Sequence, residues 1–314
     1  MIETLFHHRR AVRIENDLIR VTVTVEGGHI AEIVEKSNGV NPLWVPPWPS
    51  MEISEWSAEK HPEYGNDAES RLLSGIMGHN LCLDLFGPPS ETEAAAGLPV
   101  HGEAGVLPWQ FAPADKGLRA SCILPAAQLR VERTITLEGH RALIHETVEN
   151  LSICDRPIAW TEHVTLGPPF LERGVTRFRA STDPRLADTY TSEASSSGYS
   201  AHAMSPESER AWFCAWSPSS RALLGYVWMR NDFPWLGIWE ENHARAHAPW
   251  NGRTMTRGME FGVSPVPEPR RKMIERGSYG WAPAKSKVSA TYYAAIATAP
   301  EMPEDLTAFE RLLA

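Results

Sequence analysis

The sequence predicts an all-β fold, a large antiparallel β-sandwich that takes in residues 1–314 as a single domain. Three observations lead there. Apolar and polar residues alternate with period two in several stretches, Gly- and Pro-rich turns separate those stretches, and the 3.6-residue periodicity of amphipathic helices is nearly absent. Strands with this punctuation pack as sheets face to face. Sandwiches run past ~200 residues without dividing, and a chain of this length can bury a large core.

The elements follow in order. Ile19, Val21, Val23 and Val25 alternate with Arg20, Thr22 and Thr24, a half-buried strand ending at the Gly27-Gly28 turn. A second strand follows over 30–34. From Leu129 to Asn150 the chain reads as a long hairpin. Val131, Arg133 and Ile135 share one face, Glu138-Gly139-His140 forms the turn, and 143–148 returns. Later strands are expected at 222–229, 235–239, 259–263 and 287–297. The exception is the C-terminus, where Asp305 is placed to cap a short amphipathic helix carrying Leu306, Phe309, Leu312 and Leu313. Two irregular regions, 42–90 and 181–209, read as long loops laid over a sheet, the kind of segment that often carries function.

Composition narrows the function classes. A formal net charge of −9 argues against nucleic-acid or anionic-membrane partners, which reward clustered Lys and Arg. No apolar run approaches the ~18 residues of a membrane helix, and the start MIETLFHHRR lacks the apolar core of a signal peptide. The four widely spaced cysteines contain no CxxC pair, which speaks against a zinc ribbon or dithiol motif and fits a reducing compartment. The expected location is cytoplasmic. Twelve Trp is a heavy load. Indole faces suit the apolar faces of sugar rings, although most Trp serve the core.

Three segments hold candidate chemistry. In PVHGEAGVLPW, His101 precedes a Gly in a turn that exposes it, as a surface residue or a site residue. In WTEHVTLGPPF, Glu162 and His163 are adjacent on a strand and so point to opposite faces. His163 is there either a strand-end site residue or a histidine satisfied by backbone. In RGMEFGVSP, Glu260 lies between Met259 and Phe261, either as a solvated outer-face carboxylate or as a general base. His243 and His247 have i,i+4 spacing, but no Glu follows His243, so the zinc-protease pattern fails and no metal is expected. Phosphate loops, dinucleotide fingerprints and serine elbows are missing too.

Taken in order, these segments resemble the aldose 1-epimerase (galactose mutarotase) family. EGGHIAEI is similar to its opening strand, NPLWV and PVHGEAG to its early turn and His-Gly, WTEHVTLGPPF to its second His motif, and FPWLGIW with RGMEFGVSP to its late strand pair. The likeness runs from about Val12 to Ala297. It implies Glu260 as catalytic base, His163 as catalytic acid and His101 as the histidine that positions the sugar, with Asn80, Asp232 and Trp239 as further substrate contacts. The chain departs from the family pattern in lacking an Arg beside Asn80. It has Glu103, Ala104 and Gly105 after His101-Gly102, where a carboxylate would repel a phosphate, and Phe261 after Glu260.

The implied reaction interconverts the α and β anomers of an unphosphorylated aldose by acid/base ring opening, with no cofactor. Two rivals remain. One is a sugar-binding or sensor domain without turnover. The other is a polysaccharide-active enzyme, for which Glu162 and Glu103 are the nominal carboxylates. The sugar and the oligomeric state are not specified by the sequence.

Overall fold

Period-two alternation builds two packed antiparallel sheets in the computed structural model, which describes residues 1–313. One sheet has eleven strands and the other nine. The hairpin forms as expected, with Leu129–Glu138 paired to Arg141–Asn150 in the nine-stranded sheet. The strands Ala222–Met229 and Lys287–Thr298 pair beside it. Ile19–Thr24 and Ile30–Glu35 pair in the eleven-stranded sheet. Inward-facing Val131, Ile135, Ile144, Val148, Leu81 and Phe261 fill the space between the sheets. The C-terminal helix Leu306–Arg311 carries its expected cap, with Asp305 accepting from the Ala308 N–H at 2.8 Å. It lies over the outer face of the nine-stranded sheet, where Phe309 covers Gly225, and a Cβ there would meet the Phe309 ring at 2.3 Å.

The two loop regions need correction. Residues 42–90 hold the strand His79–Asp84, which sits in the middle of the eleven-stranded sheet between Ile30–Glu35 and Arg156–Leu166. All six of its residues are buried, so the polar positions of HNLCLD do not mark a solvent face and the alternation is lost. Residues 181–209 hold Ser196–Met204, paired along its length with Trp235–Asn242. This strand lies near the sheet edge with much of both faces exposed, and its small polar residues give no apolar stripe.

Five neighbouring strands position the candidate chemistry. They run in the order His79–Asp84, Arg156–Leu166, Met255–Gly262, Trp235–Asn242 and Ser196–Met204. Asn80, His163, Glu260 and Gly237 stand directly opposite one another across four of them, so they share one face. The next row on that face is Thr165, Gly258, Trp239 and Tyr199. The reverse face, carrying Glu162 and Phe261, looks into the space between the sheets.

Candidate functional site

Cross-strand pairing brings His163 and Glu260 together. His163 Nε2 lies 2.9 Å from Glu260 Oε1, and both residues are nearly buried, at 7% and 3% exposure. Burial opposes the charge on His163, but the facing Glu260 carboxylate outweighs it by charge and hydrogen bond, so the imidazole titrates above its ordinary value. Nδ1 of His163 is 3.0 Å from the Thr165 hydroxyl, which fixes the ring plane. The imidazole thus holds its Nε2 proton toward the facing carboxylate more firmly than a free histidine would.

Two glycines make room for the pair. A Cβ on Gly258 would sit 2.6 Å from Glu260 Oε1, and one on Gly237 would sit 2.1 Å from the Tyr199 hydroxyl. That hydroxyl donates to the Pro265 carbonyl at 2.8 Å. The absent side chains open a cleft of about 460 Å³ whose lining includes His101, His163, Glu260, Trp239, Tyr199 and Arg245. This is a size typical of small-molecule sites.

His101 reaches the cleft from the turn that follows Pro99. Its backbone is left-handed, with φ 65°, and Gly102 follows at φ 78° because a Cβ there would strike the Leu83 carbonyl at 2.2 Å. The turn is tied down by the Leu83 N–H donating to the His101 carbonyl at 3.2 Å. The ring is half-buried rather than exposed, with its centroid 5.5 Å from that of His163. Burial, with the neighbouring charges of His163 and Arg245, pushes its pKa down to about 3, so it is neutral. Nδ1 accepts from the Gly87 N–H at 3.2 Å, which leaves the proton on Nε2 as a donor.

The structure thus gathers His101, His163, Glu260 and Trp239 around one cleft, the Trp239 ring 6.1 Å from that of His163. Two expected contacts do not join them. Asp232 lies in the turn after Ala222–Met229 and lines a separate pocket with Trp281 and Tyr279, because the turn leads away from the Trp239 end of its strand. Asn80 is on the right face and opposite His163, but the turn carrying Gly105 covers it. It is 1% exposed, and a Cβ on Gly105 would meet its Oδ1 at 2.5 Å. Glu103 is also turned away from the cleft. Its carboxylate accepts from the Ala126 and Ala127 N–H groups, so it cannot repel a ligand phosphate there.

Arg245 also lines the cleft, and like Tyr199 it carries no signal in the sequence. Its guanidinium lies over the rings of Trp239 (5.4 Å) and Trp250 (4.8 Å) and pairs with Glu69 at 3.0 Å and Glu241 at 3.6 Å. Glu69 is 176 residues away in sequence, and nothing local signals the pairing. Trp44, Trp48 and Trp250 pack ring against ring behind it, so this part of the tryptophan load frames the cleft. His243 and His247 lie in the loop between Trp235–Asn242 and Met255–Gly262, not on one helical face.

Glu162 points to the other side of its strand, as adjacency to His163 requires, and enters a buried cluster. It accepts from Trp160 Nε1 at 2.9 Å and from the Tyr292 hydroxyl at 2.9 Å, and lies 2.8 Å from His79 Nε2. Arg133 pairs with Glu146 and lies 3.7 Å from Glu162. With Glu162 between the sheets and Glu103 under a turn, neither carboxylate flanks a bond in the cleft, and the glycosidase pairing is overturned.

Among solved structures, the chain is similar to a Klebsiella pneumoniae protein assigned provisionally as an aldose 1-epimerase. The TM-score is 0.72 at 14% identity, over 93% of this chain and 80% of that one. It is similar as well to a galactose mutarotase-like protein from Clostridium acetobutylicum, with TM-score 0.63 at 14% identity, over 95% and 98% of the two chains. A third is a galactose mutarotase-like protein from Lactobacillus casei, with TM-score 0.59 at 14% identity, over 91% and 100%. The chain has the galactose mutarotase-like fold. No family model and no curated protein matches its sequence. The mutarotase-like sandwich was thus legible in the order of short motifs even though overall identity to its structural neighbours is low. No helix among the described residues is long and apolar enough to cross a membrane.

Proposed function

We propose that the protein is an aldose 1-epimerase-like isomerase that interconverts the α and β anomers of a neutral aldose. The contact between His163 and Glu260 on the floor of the cleft carries the proposal. A hemiacetal carbon bears two oxygens, the anomeric hydroxyl and the ring oxygen, and ring opening moves a proton off one and onto the other. Glu260 takes the proton of the anomeric hydroxyl while His163 gives its Nε2 proton to the ring oxygen. The bond from the anomeric carbon to the ring oxygen breaks, and the carbon becomes an aldehyde. Rotation about the adjacent carbon–carbon bond presents the other face. On reclosure, His163 removes the proton of the attacking hydroxyl and Glu260 returns one to the aldehyde oxygen. Each positioned group contributes ~10²–10⁴-fold.

The surrounding residues suit a sugar. Neutral His101 offers an Nε2–H donor, Trp239 an aromatic wall, and Arg245 further donors held in place by Trp250, Glu69 and Glu241. Because two carboxylates already balance Arg245, the cleft holds no spare positive charge for a phosphate or uronate, which supports a neutral substrate. The rival reading, a sugar-binding domain without turnover, rests on the same ion pair, since His163 and Glu260 satisfy each other without a ligand. Polarimetry with a panel of neutral aldoses separates the two. Faster approach to anomeric equilibrium supports the isomerase, and saturable sugar binding with no acceleration supports the binding domain.

A further inference from the structure

A second pocket, of about 250 Å³, opens where the two sheets meet at the opposite end of the His163 strand. Ile158 and Trp160 from the eleven-stranded sheet, Val263 just after its strand Met255–Gly262, and Val288 and Ala290 from the nine-stranded sheet line it. Its rim carries two aromatic rings. Trp281 is 54% exposed, and the Tyr279 ring stands edge-on to it at 5.2 Å and 89°. Trp281 is on the short strand Gly280–Ala282, hydrogen-bonded to the start of the His163 strand, so the indole is held by sheet pairing and not on a free loop. Asn231 and Asp232, in the turn after Ala222–Met229, line the same pocket.

Asp232 separates this pocket from an ordinary surface hollow. The carboxylate is half-buried, and among the described residues its side chain has neither an ion-pair partner nor a hydrogen bond. Burial alone raises its pKa, with no neighbouring cation acting against it. A partly desolvated carboxylate without a partner costs free energy that a ligand donor would recover. An exposed indole beside it offers an apolar face without hydrogen-bond demands of its own on that side. Vicinal hydroxyls on a flat ring satisfy both features together: the hydroxyls donate to the carboxylate and the ring face lies on the indole.

We propose that the pocket bounded by Trp281, Tyr279 and Asp232 is a second, non-catalytic saccharide site that takes one ring of a neutral saccharide. It shares no lining residue with the cleft, so it stands or falls independently of the isomerase reading. The test uses the full chain labelled with 5-fluorotryptophan and read by fluorine NMR. The Trp281 signal is assigned as the one lost in Trp281→Phe, and maltotriose and cellotriose are titrated separately. A saturable shift of the Trp281 signal with at least one of them is expected. Asp232→Ala should weaken that binding about tenfold, the scale of one lost anchoring contact, while leaving the Trp239 signal's response to sugar unchanged. Thermal midpoints confirm that the variants remain folded. A Trp281 signal that ignores both saccharides overturns the proposal, as does one that moves only with tetramethylammonium, the probe for an organic-cation site. A saccharide response unaltered in Asp232→Ala overturns it as well.

Discussion

His163 and Glu260 meet because strand pairing sets them opposite each other and because Gly258 leaves the carboxylate its space. Gly258→Ala would place a methyl group 2.6 Å from the present position of Glu260 Oε1, so the carboxylate must swing away from His163. On an aldose that the wild type turns over, the variant should lose about a hundredfold in kcat, since misplacing one acid/base partner forfeits its contribution. Progress curves by polarimetry check this, and a full rate would show that the contact is dispensable. The raised pKa of His163 also has a sign to test. Its acid form persists above pH ~6.5 and disappears as pH rises through the shifted value. The rate should therefore fall on the alkaline side, with the midpoint above the free-imidazole value. Glu260 and both histidines were legible as residues because each sits in a short distinctive segment. Arg245 and Tyr199 were not, because what holds them at the cleft is contact with Glu69 and Pro265, far away in sequence.

At the scale of elements, the strand Arg156–Leu166 has a working side and a supporting side. Its cleft face carries His163, and its inner face carries Glu162 into a cluster with Arg133, Glu146, His79 and Tyr292. Two carboxylates share one guanidinium there, all of them essentially without exposure. Burial raises Glu146 to about 7, with Arg133 opposing and Glu162 adding to the shift. Arg133→Met would leave those carboxylates without their cation and should cost about 3–5 kcal/mol, as breaking buried pairs does. Chemical denaturation measures it, and a loss below ~1 kcal/mol would show that the cluster is held otherwise. Alternation revealed Leu129–Glu138 and its partner and put Arg133 on the face of Val131 and Ile135, but it gave no sign of the carboxylates that meet it there, because period two assigns a face and not its contacts. It missed His79–Asp84 for a related reason. A central strand covered on both faces has no wet side to alternate with. The C-terminal helix was read from Asp305 and its apolar spacing, and Asp305→Ala should destabilise the protein by about 1 kcal/mol.

The whole molecule buries more histidine than it can charge. His29 is held at about 3 by burial and the nearby Arg9, His101 at about 3, and His79 well below its ordinary value by burial and Arg133. For each, the unfolded chain takes up a proton near pH ~6.5 that the folded chain refuses. Stability is therefore lost as pH falls below that value, by at most about 1.4 kcal/mol per pH unit per histidine. Glu146 acts the other way, because the folded protein holds its proton up to about pH 7 and gains stability as pH falls toward 4.5. Three strongly depressed histidines act over the whole window against Glu146 and the lesser upward shifts of Glu103, Glu240 and Asp232, so stability should decline from pH 6.5 to 4.5, as followed by urea midpoints. Flat stability over that range would show these histidines to be solvated.

The central claim is that His163 and Glu260 exchange protons with the two oxygens of an anomeric carbon. The most direct measurement is the α/β exchange rate of a neutral aldose by NMR magnetisation transfer, for the wild type and for Glu260→Gln. The account predicts accelerated exchange with the wild type and a drop of at least ~10²-fold in the variant, with the fold intact by circular dichroism. Undiminished exchange in a folded Glu260→Gln protein would contradict it.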